Sequence, residues 1–154
     1  WVYRARPDVN CIIHTHPTHV AALSMIEVPL AVSHMDLCPL YEDCAFLEAW
    51  PGVPVGNEEG EIISAALGDK RAILLSHHGQ LSTGASIEEA CVIAQLIERA
   101  AKLQLLAMAA GTIKPILPEL GREAHDWISK PKRHSAAFNY YARQNLKKHA
   151  DCLN

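Results

Sequence analysis

Residues 9–17 read Val9-Asn10-Cys11-Ile12-Ile13-His14-Thr15-His16-Pro17. The apolar run from Val9 to Ile13 follows the turn-like Arg6-Pro7-Asp8 and predicts a short buried strand. Pro17 suits the first turn of a helix, so residues 18–26 are expected to be helical. A second stretch repeats the plan: Arg71 to Ser76, around Ala72-Ile73-Leu74-Leu75, reads as a buried strand that runs into His77-His78-Gly79. Residues 29–32 are expected to form a further strand, and 58–67 a helix ended by Gly68-Asp69. The segment 36–57, with Pro39, Pro51 and Pro54, reads as a long connection carrying at most a short strand at 53–55. Ser86-Ile87-Glu88-Glu89 is a capping box. It opens a helix whose apolar positions Ala90, Ala94, Ile97, Ala101, Leu105 and Met108 recur at helical spacing until Gly111. Residues 114–118 form a linker, and 119–129 and 135–148 are expected to be helices. Strands alternate with helices through two thirds of the chain, which is an α/β pattern with a sheet covered by helices.

Composition narrows the function. The chain has 154 residues, 49% apolar and 20% charged, enough for one domain with a sizeable core. Seventeen acidic residues against fourteen basic ones give a net charge of −3, which excludes a broad electrostatic grip on nucleic acid. No apolar run reaches the length of a membrane span, and no signal-like segment opens the chain. Five cysteines without a C-x-x-C pair fit free thiols in a reducing cytoplasm. The chain opens on Trp1-Val2-Tyr3-Arg4, without methionine.

Nine histidines carry the chemistry. On a strand, residues two apart point the same way, so His14 and His16 are expected on one face where the strand ends. Alone, an H-x-H reads equally well as two polar residues at a strand end. A third histidine just past a second buried strand makes three ligands plus an open position, the plan of a catalytic metal site. His77 and His78 are adjacent, so in extended chain only one of them faces such a metal. His19 is expected on the following helix, beside the site or at the surface. His125, His134 and His149 read as solvated helix residues, and His34 as a residue near the mouth of the site. Nucleophile-elbow, phosphate-loop and H-E-x-x-H motifs are absent.

Arg6-Pro7-Asp8-Val9-Asn10, His14-Thr15-His16-Pro17, Ala72-Ile73-Leu74-Leu75-Ser76-His77-His78-Gly79 and Gly84 with Glu88-Glu89-Ala90 together resemble the class II aldolase/adducin family, in its order and spacing. The resemblance covers roughly residues 3 to 111. It implies a three-layer α/β/α sandwich and a single domain over 1–154, with 1–111 as the matching core and 112–154 as a helical C-terminal segment. It implies a divalent metal held by His14, His16 and His78, zinc first, with manganese, cobalt or iron as alternatives. His77 stands where many members have asparagine. A homotetramer acting on a small molecule, with no nucleic-acid or membrane partner, is implied as well.

The implied activity is a metal-dependent carbon–carbon lyase, with aldol cleavage of a small oxygenated, possibly phosphorylated substrate through a metal-stabilised enediolate. Decarboxylation uses a similar intermediate, so a decarboxylase of the same fold is the alternative, beside a non-catalytic adducin-like assembly domain. Family enzymes carry a glutamate acid/base and phosphate-binding serines and glycines upstream of the H-x-H strand. Only thirteen residues precede His14. The chain is therefore expected to lack an N-terminal part of the domain, and with it that glutamate and activity of its own. Glu27, Glu42 and Asp43 do not match that motif. The tyrosine proton donor of sugar-phosphate aldolases aligns with Ser33-His34-Met35, which leaves His34 as the nearest titratable candidate, or as a structural histidine.

Overall fold

The computed structural model describes residues 1–53 and 55–153. Four strands form one mixed sheet: β1 (Cys11–Thr15), β2 (Cys44–Leu47), β3 (Ala72–Leu75) and β4 (Gln80–Gly84), in the order β1-β4-β3-β2. β1 and β4 pair antiparallel, as do β4 and β3, while β2 and β3 run parallel. Among the described residues six helices accompany them: α1 (Val2–Ala5), α2 (Thr18–Ser24), α3 (Glu58–Leu67), α4 (Ile87–Ala110), α5 (Pro118–Ile128) and α6 (Pro131–Lys148), with 3-10 turns at Met35–Leu40 and Ala150–Leu153. No helix among the described residues is long and apolar enough to cross a membrane.

The alternation of β3 divides the core into two faces. Ala72 and Leu74 pack with Val20 and Leu23 of α2, Ile93 and Ile97 of α4, and Leu37 and Leu40 of the 3-10 turn. Ile73 and Leu75 pack the other way, with Val2 of α1 and Leu67 of α3. Helices on both faces of one sheet make the three-layer α/β/α arrangement that the resemblance implied.

The strands expected at 9–13 and 71–76 form two residues later and one residue shorter at each end, at Cys11–Thr15 and Ala72–Leu75. Residues 29–32 form no strand. Their polar backbone is taken by a side chain instead: the Gln104 carboxamide accepts from the Ala31 N–H at 2.7 Å and donates to the Pro29 carbonyl at 3.0 Å. The strand expected at 53–55 centres on Pro54, which lies outside the described residues, and its neighbours Val53 and Val55 are exposed. The long connection instead holds β2, whose Ala45 joins the core. β4 was not expected either. Ser86 caps α4 as the capping box requires, accepting from the Glu89 N–H at 3.3 Å, while Glu89 reaches back to the N–H of Ala85 rather than of the cap itself. α6 starts at Pro131, four residues earlier than expected, with proline in its first turn.

His125 and His134 are not solvated helix residues, because α5 packs on the 3-10 turn and α6 on α4. His134 is only 5% exposed, with Nδ1 3.7 Å from Glu89 and no partner for Nε2 among the described residues. Burial holds its imidazole below the ordinary histidine range; Glu89 opposes this and Arg71 adds to it. A histidine depressed in the fold stabilises it above the unfolded value of about 6.5, and that stability is lost as pH falls through the folded value. Thermal stability should therefore decline as pH falls below about 6.5. His134→Leu, which removes the titration but keeps the volume, should flatten that slope; an unchanged slope in melts across this range would contradict the assignment.

Candidate metal centre

His14, His16 and His78 converge at one end of the sheet. Their ligand atoms lie within 4.8 Å of one another, and the three ring centroids are 4.8 Å apart pairwise. His14 sits on β1 opposite Leu81, and His16 follows one residue past the strand, so the two-residue period places both on the same face. The Nε2 atoms of the two rings face each other at 3.0 Å. The Gln80 carbonyl lies 2.9 Å from His14 Nδ1 and can only accept, so Nδ1 carries the proton and Nε2 presents a lone pair to the cluster.

His78 arrives from the turn between β3 and β4. The Leu75 N–H donates to the Gly79 carbonyl at 2.8 Å, closing the turn, and the His77 N–H donates to the Ser24 carbonyl at the end of α2 at 3.2 Å. His77 takes a left-handed backbone, φ 53°, which turns its own ring outward to Glu27 at 2.7 Å and leaves His78 facing the cluster. That geometry settles which of the adjacent histidines joins His14 and His16. Burial, and then the two neighbouring imidazoles, hold His78 below the ordinary histidine value, while Glu59 pulls the other way. The neutral form is the one that ligates a metal. His14 and His16 are exposed and His78 half-buried, so the cluster is open to solvent.

The residues present fit a divalent ion. Three convergent imidazoles, one with its tautomer set by a backbone carbonyl, form a suitable donor set for zinc and for several first-row metals. Gly79 makes the approach possible: a Cβ there would lie 2.4 Å from His16 Cδ2 and 2.6 Å from the Thr15 carbonyl. Gly79→Ala should force the β1 end and the turn apart, costing about 1–3 kcal/mol. Metal affinity should fall with it. Denaturant unfolding and chelator competition check both, and an alanine variant equal to the parent in both would contradict the packing.

The other histidines stand apart. His34 caps the 3-10 turn, its Nδ1 accepting from the Asp36 N–H at 3.2 Å. It borders a separate cavity of about 360 Å³ with Leu37, Leu103, Ala107 and Lys114, which none of the three clustered histidines lines. His19 lies on α2 with Nδ1 2.6 Å from Glu98, whose carboxylate also accepts the N–H groups of His19 and Val20. Glu59 went unnoticed in the sequence, since a glutamate in the first turn of a helix reads as dipole complement. Its Oε1 is buried 3.6 Å from His78 Nδ1. The five cysteines are free, and burial pushes the Cys44 thiol up to about 12.

Residues 1–105 match the model of the Class II Aldolase and Adducin N-terminal domain. The chain is 34% identical over 121 residues to a 4-hydroxy-3-prenylphenylpyruvate oxygenase/4-hydroxy-3-prenylbenzoate synthase of Streptomyces roseochromogenus subsp. oscitans, covering 79% of this chain and 44% of that protein. It is 32% identical over 145 residues to the decarboxylase NovR of Streptomyces niveus, covering 89% of this chain and 54% of the relative. Among solved structures, an L-fuculose 1-phosphate aldolase from Glaciozyma antarctica PI12 superposes with a TM-score of 0.85 at 29% identity, covering 97% of this chain and 57% of that one. The chain thus spans about half the length of the curated relatives it matches.

Proposed function

The chain belongs to the class II aldolase/adducin family, and from that premise we propose that it carries the metal centre of a metal-dependent carbon–carbon lyase, with His14, His16 and His78 as the ligands. In this reading residues 1–154 form one class II aldolase/adducin-like domain, zinc is the first candidate metal, and the working form is a cytoplasmic homotetramer. The observation that carries it is the convergence of three imidazoles from two separate chain segments on one point.

When bound, the ion supplies Lewis-acid stabilisation of negative charge developing on a substrate oxygen. The chain's own residues prepare that position. The Gln80 carbonyl holds the His14 proton on Nδ1, so that ring cannot rotate its lone pair away from the cluster without losing a hydrogen bond. Gly79 lets the His16 ring lie against the β3–β4 turn. Burial favours the neutral form of His78. The exposure of His14 and His16 leaves an approach for a small oxygenated substrate.

Aldol cleavage is the first reading, supported by the close superposition on an L-fuculose 1-phosphate aldolase. Decarboxylation is the second, favoured by the 32% identity to a decarboxylase over most of the chain. A screen of the zinc-loaded full-length protein that carries this chain, on phosphorylated ketoses and on hydroxylated carboxylic acids, separates them. An aldehyde product supports the aldolase, and carbon dioxide without an aldehyde supports the decarboxylase. Protein that binds zinc stoichiometrically and turns over neither class contradicts both and favours an adducin-like assembly role.

A further inference from the structure

The first turn of α3 carries three glutamates, Glu58, Glu59 and Glu61, of which Glu58 and Glu61 are exposed. Glu59 turns inward: its side chain is 10% exposed, and Oε1 has no hydrogen-bond partner among the described residues. A buried carboxylate without a partner is costly, and it persists where some other state of the site uses it. Nδ1 of His78 lies 3.6 Å from Oε1, just beyond hydrogen-bonding distance.

We infer that Glu59 is a positioning residue for the metal centre: its carboxylate takes the Nδ1–H of His78 and so aims the opposite ring nitrogen at His14 and His16. The inference rests on the reading of that cluster as a metal site. A ligating imidazole uses one nitrogen for the metal and needs an acceptor for the proton on the other, which fixes tautomer and ring orientation. His14 has such an acceptor in the Gln80 carbonyl. His78 comes from a turn in which the Leu75 carbonyl takes the His78 N–H and the Gly79 carbonyl takes the Leu75 N–H. The acceptor nearest its Nδ1 comes from another element, the Glu59 carboxylate on α3. Closing 3.6 Å to an ordinary hydrogen bond takes a shift of well under 1 Å, roughly what a ring rotation provides. The negative charge also offsets part of the charge of a divalent ion shared by three neutral ligands.

The test is zinc affinity, by competition with a chromophoric chelator, together with the visible spectrum of the cobalt-substituted protein. Glu59→Ala should bind zinc about 10–100-fold more weakly and show an altered cobalt spectrum. Glu59→Gln keeps the volume and an acceptor oxygen but not the charge, and should fall between. Glu58→Gln, on the exposed side of the same turn, should match the parent. Metal-free Glu59→Gln should melt no lower than the metal-free parent, because it relieves a buried unpartnered carboxylate; a purely structural glutamate would move only the melt. Parental zinc affinity and cobalt spectrum in Glu59→Ala and Glu59→Gln would overturn the inference, as would an equal loss in Glu58→Gln. Failure of the parent itself to bind zinc or cobalt would instead overturn the reading of the cluster.

Discussion

His78→Ala should lower zinc affinity about a thousand-fold, roughly 4 kcal/mol, while leaving the fold in place. The ring is half-buried at a turn rather than in either core cluster, so its removal opens little apolar cavity. What it removes is one of three donors, and the only one from the β3–β4 turn. Two imidazoles on β1 and just past it, His14 and His16, remain as a weak bidentate site of the kind that any H-x-H offers. His77→Asn is the matched control. Asparagine tolerates the left-handed backbone that residue 77 adopts, and the ring it replaces points to Glu27 rather than to the cluster. Its affinity should stay within a few-fold of the parent. Isothermal titration of metal-free protein with zinc reads both variants. Equal losses in the two, or none in His78→Ala, would place the metal elsewhere. Chelator treatment should also lower the melting temperature of the parent more than that of His78→Ala, because an ion that binds only the folded chain adds to its stability.

The histidine pair and the strand before His78 were legible because each rests on a strong local rule. A period of two puts His14 and His16 on one face wherever the strand falls, so a two-residue error in its bounds did not matter. Ala72-Ile73-Leu74-Leu75 is buried on both faces and reads as an unbroken apolar run. The limits of α3 and the cap of α4 were equally plain. β4 was hidden because Gln80, Ser82 and Thr83 are polar yet fully buried. Their donors find backbone carbonyls on another element: Ser82 Oγ donates to Ala90, and Gln80 Nε2 to Ala94. That pairing exists only once α4 lies across the sheet, so no local pattern announces it. β2 was hidden by its four-residue length beside a proline-rich stretch. His134 was misjudged for the same reason, since it reads as a solvated helix residue until α6 packs on α4, and nothing local singles out Glu59.

Arg71 is the strongest case of a residue with no local signal, and its replacement should be the most damaging to the fold. It stands just before β3, with an 18% exposed side chain, and each of its three guanidinium nitrogens has a partner. Nε donates to Asp43, Nη1 to Glu89 at 3.0 Å, and Nη2 to the Pro39 carbonyl, His125 Nε2 and Ser129 Oγ at 3.1–3.2 Å. One fork thus joins the edge of β2, the first turn of α4, the 3-10 turn and α5. Arg71→Met keeps the length and leaves Asp43 and Glu89 as carboxylates 16% and 20% exposed with their cation gone. Breaking a buried pair this way costs about 3–5 kcal/mol; the residual exposure of both acids puts the expectation near the lower end, ~3 kcal/mol. Arg71→Lys keeps the charge but not the fork, and should lose an intermediate amount. Adding Asp43→Asn and Glu89→Gln to Arg71→Met should recover part of the loss, because the stranded charges disappear. The network lies at the N-terminal end of β3 and the histidine cluster past its C-terminal end. Under conditions where Arg71→Met remains folded, its zinc affinity should equal the parent's. Urea unfolding and zinc titration of the same samples decide the matter: an unchanged midpoint would show the network to be dispensable, and a weakened metal site would show that the two ends of the strand are coupled.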